Sequence, residues 1–385
     1  MTVKVAVVEP VGGHGGMNFY DFALCKSVTT AGGQATLYSC DKTVVSGSEV
    51  FAVKLPYRGI YGADKAWVRG LRFLLGSVIA LPGARLQGHQ VAHFHFFHVG
   101  PLELFNVLLA RAVGLAVVVT AHDVEAFKKG LSVPIFLRWA YRLASRVIAH
   151  SQVAKNELVH VLKLPAEKID VILHGNHVDH IPASVTRDMA RRQLGLTTDQ
   201  RVLLFFGQIK DVKGLDVLLE GFALARQVDK RLHLVIGGRV WKSDFAKYQK
   251  VIDAHGLGPY CTRHIRYITD AEVPVFYRCA DLVVLPYRTI YQSGVVLEAM
   301  SYGRPVLVSD IAGMLEAVQD EKTGFVFRNG DAPHLALRLR DIFSTPGHSE
   351  AIAEAGHRMV VTRNDWGTIG KQTLACYQRA LGSAQ

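Results

Sequence analysis

The sequence predicts an α/β protein of two parallel-sheet domains, and three observations carry that prediction. Short apolar runs alternate with helical patterns along nearly the whole chain, which is how strand–helix units building parallel sheets read. At 385 residues the chain is too long for one compact core and points to two domains. In each half, a loop bearing glycine or lysine follows the first strand, where close backbone and positive charge suit a phosphate.

The elements follow in order. Val3 to Glu9 reads as a buried strand, then a loop Val11-Gly-Gly-His-Gly-Gly-Met17 and a helix from about Asn18 to Ala31. A dinucleotide fingerprint starting at Gly13 needs glycine where Asn18 stands, although Asp41, after a strand Ala35 to Ser39, imitates its ribose-binding acid. Residues 62–90 form a basic amphipathic stretch, with Trp67, Leu71, Phe73, Leu74, Leu75, Val78, Ile79 and Leu81 among Lys65, Arg69, Arg72 and Arg85. It reads either as an ordinary helix with a core face or as a surface docking on anionic membrane. Lys128, Lys129, Arg138, Arg142 and Arg146 either extend that surface or form a solvated face.

His93 and His95 alternate with Phe94 and Phe96, so they share one face of a strand running towards His98. Histidines invite zinc, but no cysteine or carboxylate completes a ligand set nearby, and no metal is expected. Ala116-Val-Val-Val-Thr-Ala-His122-Asp123 is an apolar strand ending in a polar pair. Ligands in open parallel sheets gather beyond the strands' carboxyl ends, so His122 stands where substrate would arrive, with a capping role as the plain alternative. Arg146 to Ser151 and Ile169 to Asn176 complete the first domain, and residues 178–199 read as a connector.

The second domain opens with a strand Arg201 to Gly207, a loop carrying Gln208, Lys210, Lys213 and Gly214, and a helix to about Arg226. Gly207 with the two lysines is what a diphosphate site needs. Strands Leu232 to Gly237 and His264 to Ile268 follow, and then a helix from about Asp270 to Cys279. Ala280 to Leu285 is a buried strand; after a Pro-containing loop, Ser293 suits an N-cap and Gly303 the residue past the helix end. The free amides at Ser293, Gly294 and Val295 favour phosphate. Glu298, further along, offers a carboxylate that accepts two hydroxyls, as from a ribose diol.

This last stretch resembles the nucleotide-binding segment of retaining glycosyltransferases of the GT-B fold, the large GT4-like group. The residues carrying the resemblance are Glu298-Ala-Met-Ser-Tyr-Gly-Arg-Pro-Val306 and Gly313-Met-Leu-Glu316. The resemblance implies two Rossmann-like parallel-sheet domains facing a central cleft. It puts the acceptor side at 1–178 and the nucleotide-sugar side at 179–364, with 365–385 packing back on the first. It implies transfer of a sugar from a nucleotide-diphosphate donor, UDP- or GDP-linked, to a saccharide acceptor with retention; charge and amphipathicity alone suggest a lipid-linked saccharide in envelope or polysaccharide synthesis. No metal or cofactor is implied beyond the donor itself. Gly15 and Gly16 match its Gly-Gly loop beneath the diphosphate, and Lys213 matches its loop lysine. His122 and Glu316 match positions that orient the sugar, while His93 and His95 match a pair lining the acceptor cleft. His122, Lys213 and Glu298 would carry catalysis. The chain departs from the pattern at Ile290, where a first signature glutamate is expected, and at Gln208, where an arginine is expected. Two neighbouring activities share this architecture: a nucleotide-sugar epimerase and a non-catalytic nucleotide-sugar binder.

Composition narrows the setting. Hydrophobic residues at 49% and charged residues at 20% fit a water-soluble globular protein. A net charge of +11 favours anionic partners, although charge alone is the only support for nucleic acid, which is not expected as a partner. Five scattered cysteines without a C-x-x-C pair suggest reduced thiols and a cytoplasmic setting. The first residues read as a strand and not a signal peptide. The longest apolar runs are broken by Arg72 and Arg111, so any membrane contact is expected to be peripheral.

Overall fold

Strands that bury both faces pair in parallel, and the chain builds two such sheets. The computed structural model describes residues 2–10, 12, 16–122, 135–241 and 244–382. The chain divides into two units: Met1–Gly175 with Asn364–Gln385, and Asn176–Arg363.

In the first unit the strands are β1 (Lys4–Glu9), β2 (Gln34–Ser39), β3 (Ala52–Lys54), β4 (Val91–Phe96), β5 (Ala116–Ala121), β6 (Arg146–Ala149) and β7 (Ile169–Val171). Their order is β3-β2-β1-β4-β5-β6-β7. Val5 and Val7 of β1 are wholly buried and pair with Val91 and His93 of β4. The final helix, Trp366–Gly382, packs on helix Met17–Thr30 and reaches the sheet, where the Tyr377 hydroxyl meets His93.

The second unit contains β8 (Arg201–Phe206), β9 (Leu232–Gly237), β10 (Cys261–His264), β11 (Leu282–Leu285), β12 (Val306–Ser309) and β13 (Phe325–Phe327). The order is β10-β9-β8-β11-β12-β13, again parallel throughout. Both sheets therefore reverse their winding direction once, between β1 and β4 and between β8 and β11. Open α/β sheets bind ligands outside the carboxyl ends of the strands at such a reversal.

Two segments differ from the sequence expectation, and for a third the sequence leaves alternatives open. The strand expected at 264–268 is β10, ending at His264, because Cys261 and Thr262 take the register against Leu234 and Val235. The connector contains a helix, Arg187–Gln193, which the Thr186 side chain caps by accepting from Met189 N. Its Arg191 is buried and donates to Asp281 and to the carbonyls of Thr197, Thr198 and Gln200, fastening the segment to the second sheet. Finally, the basic amphipathic stretch forms helix Ala66–Leu86 with two distinct faces. Gly76, Ser77, Ala80, Leu81 and Ala84 are buried, whereas Trp67, Leu71, Leu75, Val78 and Ile79 are half to two-thirds exposed. Lys128 and Lys129 lie outside the described residues.

The five cysteines are all buried and form no disulfide. Among the described residues, no helix is long and apolar enough to cross a membrane.

Candidate active site

In the second unit, the loops after β8, β11 and β12 fold together over the β8/β11 reversal. The loop after β8 turns at Gly207, whose N–H donates to the Gly237 carbonyl. It ends at Gly214, the left-handed residue opening helix Leu215–Val228. A Cβ at Gly214 would stand 1.9 Å from the Pro286 carbonyl oxygen, so only glycine lets the loops after β8 and β11 touch. Gly313 plays the same part for the loop after β12: a Cβ there would meet the Ile290 carbonyl at 2.1 Å. Arg288 ties the cluster, donating to both carboxylate oxygens of Asp216 and to the Asp211 carbonyl.

Lys213 belongs to this cluster, its Nζ 3.6 Å from the centre of the Tyr287 ring. Lys210 Nζ lies 5.6 Å from the Trp241 ring. Ser293 precedes helix Gly294–Ser301 in extended conformation and makes no side-chain cap, so the first amides, Gly294 and Val295 included, are left for another acceptor. Glu298 sits one turn in, half-buried, and accepts from the Tyr277 hydroxyl at 3.0 Å. Tyr277 is itself stacked on Tyr302, centroids 4.8 Å apart. Burial holds the Glu298 carboxyl up at about 7, with the Tyr277 bond pulling it down. Glu316 ends helix Ala312–Leu315, and its carbonyl accepts from Arg363.

In the first unit, chemistry collects at the carboxyl ends of β1, β4, β5, β6 and β7. Tyr20, on the first helix, is the hub. Its ring lies 4.9 to 5.7 Å from those of His95, His122, His150 and His174. His122 is half-buried just past β5 and stacks on Phe97 at 4.8 Å. Its Nε2 lies 3.2 Å from His95 Nδ1. His150 bonds the Ile172 carbonyl, and His174 the Gly175 carbonyl, each through Nδ1 at 2.8 Å. Burial drives all these imidazoles towards neutrality: His150 falls to about 3, His174 to about 4, and His95 and His122 well below the usual value.

The structure separates the two histidines expected to share one role. His93 is buried with both ring nitrogens occupied, at 2.8 Å from Tyr377 Oη and 2.7 Å from Thr120 Oγ1. Its surroundings are those of a structural histidine inside the sheet layer, which turns it away from the acceptor-lining role. His95, also buried, reaches His122 instead. His98 is exposed beside Glu103, so the histidine-rich run does not converge on one metal. Among the described residues, the group that could hold a cation is a different one: Glu9, Asp21 and His95, all buried, with donor atoms within 4.8 Å of one another. Gly16 caps the first helix in a left-handed conformation with open space around it, whereas Gly15 falls outside the described residues. Sequence reasoning missed Glu9, Tyr20, Asp21, His150 and His174 as site residues. The available signal was position, since Glu9 ends β1 and His150 and His174 stand just past β6 and β7.

Comparison with known proteins accounts for both halves of the chain. Residues 186–359 match the model of the glycosyl transferases group 1, and residues 14–180 that of glycosyltransferase family 4. The chain is a GT4-like glycosyltransferase of the GT-B fold.

Among its relatives is the D-inositol 3-phosphate glycosyltransferase of Jonesia denitrificans, 24% identical over 97% of this chain and 93% of that one. The alpha-D-kanosaminyltransferase of Streptomyces kanamyceticus is 25% identical over 86% and 87%. Anabaena HepE, solved in complex with UDP and glucose, superposes with a TM-score of 0.74 at 20% identity over 97% and 98%. In this glycosyltransferase, Ile290 packs against the apolar core of the second unit while its carbonyl faces Gly313. The expected glutamate is therefore replaced by a packing residue, and the loop geometry rests on backbone.

Proposed function

We propose that the enzyme transfers a sugar from a UDP- or GDP-linked donor to a saccharide or lipid-linked saccharide, retaining anomeric configuration and requiring no metal. The observation that carries this reading is the β8/β11 reversal. There the Lys213 loop, the open start of helix Gly294–Ser301 and a half-buried carboxyl at Glu298 belong to one loop cluster.

In this reading Lys213, Lys210 and the amides at Ser293, Gly294 and Val295 receive the diphosphate, with Gly16 and Gly207 permitting close backbone. Glu298 accepts from the ribose hydroxyls, and His122 and Glu316 orient the sugar. The bond from the anomeric carbon to phosphate oxygen breaks, and the acceptor oxygen bonds the same carbon on the same face. The acceptor proton passes to the departing phosphate. Negative charge grows on the diphosphate as the bond breaks, so fixed positive charge and amides lower the barrier more than they stabilise the bound donor.

The lipid-linked form of the acceptor draws support from helix Ala66–Leu86. Trp67, Leu71, Leu75, Val78 and Ile79 recur at helical spacing on an exposed face, beside Lys65 and Arg85. Helix Pro101–Ala112 packs alongside, and helix Ile135–Leu143 next to that one adds exposed Ile135, Phe136 and Trp139 with Arg138 and Arg142. An apolar face rimmed by cations fits a peripheral contact with anionic lipid on the cytoplasmic side.

Transfer of labelled sugar to acceptor extracts tests the reading. Lys213→Ala and Glu298→Ala are expected each to lower turnover roughly tenfold or more with the fold intact. Near-normal rates in both variants would remove the site assignment, and an epimerised donor in place of a transferred sugar would favour the epimerase.

A further inference from the structure

Behind His122 lie two buried residues that the reading above leaves unused, Asp21 and His95. His95 Nδ1 stands 3.2 Å from His122 Nε2 and 3.5 Å from Asp21 Oδ1. His95 Nε2 is buried without a partner.

A neutral imidazole carries one proton. On His95 Nε2 that proton would be a buried donor with nothing to accept it, and orphaned buried donors are rarer in folded proteins than under-used acceptors. On Nδ1 it faces the Asp21 carboxyl on one side and the His122 ring on the other. Nδ1 is therefore the protonated atom, and it donates to His122 Nε2. That nitrogen must then be bare, which leaves the single proton of a neutral His122 on its own Nδ1. An imidazolium at His122 would set N–H against N–H across 3.2 Å, which agrees with the depressed basicity of both rings.

We propose that Asp21 and His95 are positioning residues that hold His122 neutral with its proton on Nδ1, so that it meets the donor sugar as a hydrogen-bond donor and not as a base. The functional half of this statement rests on the placing of the sugar at His122 made above. The groups packed around the pair are Glu9 from β1, Tyr20 from the first helix, His93 from β4, His150 past β6 and His174 past β7, with Tyr377 of the last helix on His93. Burial first, and Glu9 second, push the Asp21 carboxyl up. Asp21 Oδ1 stands 3.5 Å from His95 Nδ1 without a hydrogen bond of its own, and favours a proton on that nitrogen electrostatically.

Long-range proton–nitrogen correlation on protein labelled with ¹⁵N-histidine reads which ring nitrogens are bare, and His122→Gln identifies the His122 signals. The expected result is a bare Nε2 and a protonated Nδ1, unchanged from about pH 6 to about pH 8. In His95→Phe the His122 proton redistributes to Nε2 and kcat falls roughly tenfold, while nucleotide Kd stays within about twofold. His95→Asn, whose amide N–H replaces the lost donor, restores the tautomer and most of kcat. A wild-type His122 protonated on Nε2, or a tautomer unmoved by His95→Phe, overturns the proposal. The wild-type measurement needs no folded variant at position 95. If the tautomers behave as stated but no sugar is transferred, the positioning stands and the transfer reading fails.

Discussion

Glu298 shows how one half-buried carboxyl couples stability to pH. Its folded pKa of about 7 lies above the ordinary 4.5. Between those values the folded protein binds more protons than the unfolded chain, so stability falls as pH rises through the window. Glu298→Gln removes that penalty while keeping a hydrogen-bonding partner for Tyr277. The variant is expected to be more stable than wild type at about pH 8, on the order of 2 kcal/mol, and to match it near pH 4.5. Denaturant unfolding at both values checks this, and equal stability at both would contradict it. At this scale the sequence shows Lys213 and Glu298, because each lies in a contiguous motif. It hides Tyr20 and His150, which meet across 130 positions of chain. It also misplaces His93, because an alternating strand pattern shows which side chains share a face but not what covers that face. Here the covering group is Tyr377 of the last helix.

At the scale of elements, the helix Ala66–Leu86 carries the clearest consequence. Its spacing is legible in the sequence, but a helical apolar pattern reads the same whether its face meets core or solvent. The structure resolves that ambiguity by burying Gly76, Ser77, Ala80, Leu81 and Ala84 and exposing Trp67, Leu71, Leu75, Val78 and Ile79. Cosedimentation with anionic vesicles is expected to bind the wild-type protein, to weaken with salt, and to drop at least about fivefold for Trp67→Glu/Ile79→Glu. The same variant should keep its rate on a water-soluble acceptor. Equal vesicle binding by both proteins would refute a docking role. Other elements escaped for simpler reasons. β3 and β13 are three residues long, too short for period-two alternation to register. Helix Arg187–Gln193 is polar in sequence and is held by one buried arginine instead of an apolar stripe.

For the molecule as a whole, two parallel sheets were readable because buried strands leave unbroken apolar runs between helical patterns. The strand order was not readable, and it is the order that locates the reversals where each unit gathers its polar groups. The first unit gathers neutral histidines and buried acids, whereas the second gathers lysines, open amides and a half-buried carboxyl. On the proposed reading, that division of chemistry assigns nucleotide binding to the second unit. Calorimetric titration of UDP, GDP, ADP and NAD, in EDTA, into wild type and Glu298→Ala tests it most directly. The account predicts that one nucleoside diphosphate binds without metal and loses roughly tenfold or more in affinity, about 1.4 kcal/mol, in the variant. Binding of NAD alone, of nothing, or of a diphosphate equally well by both proteins would contradict it.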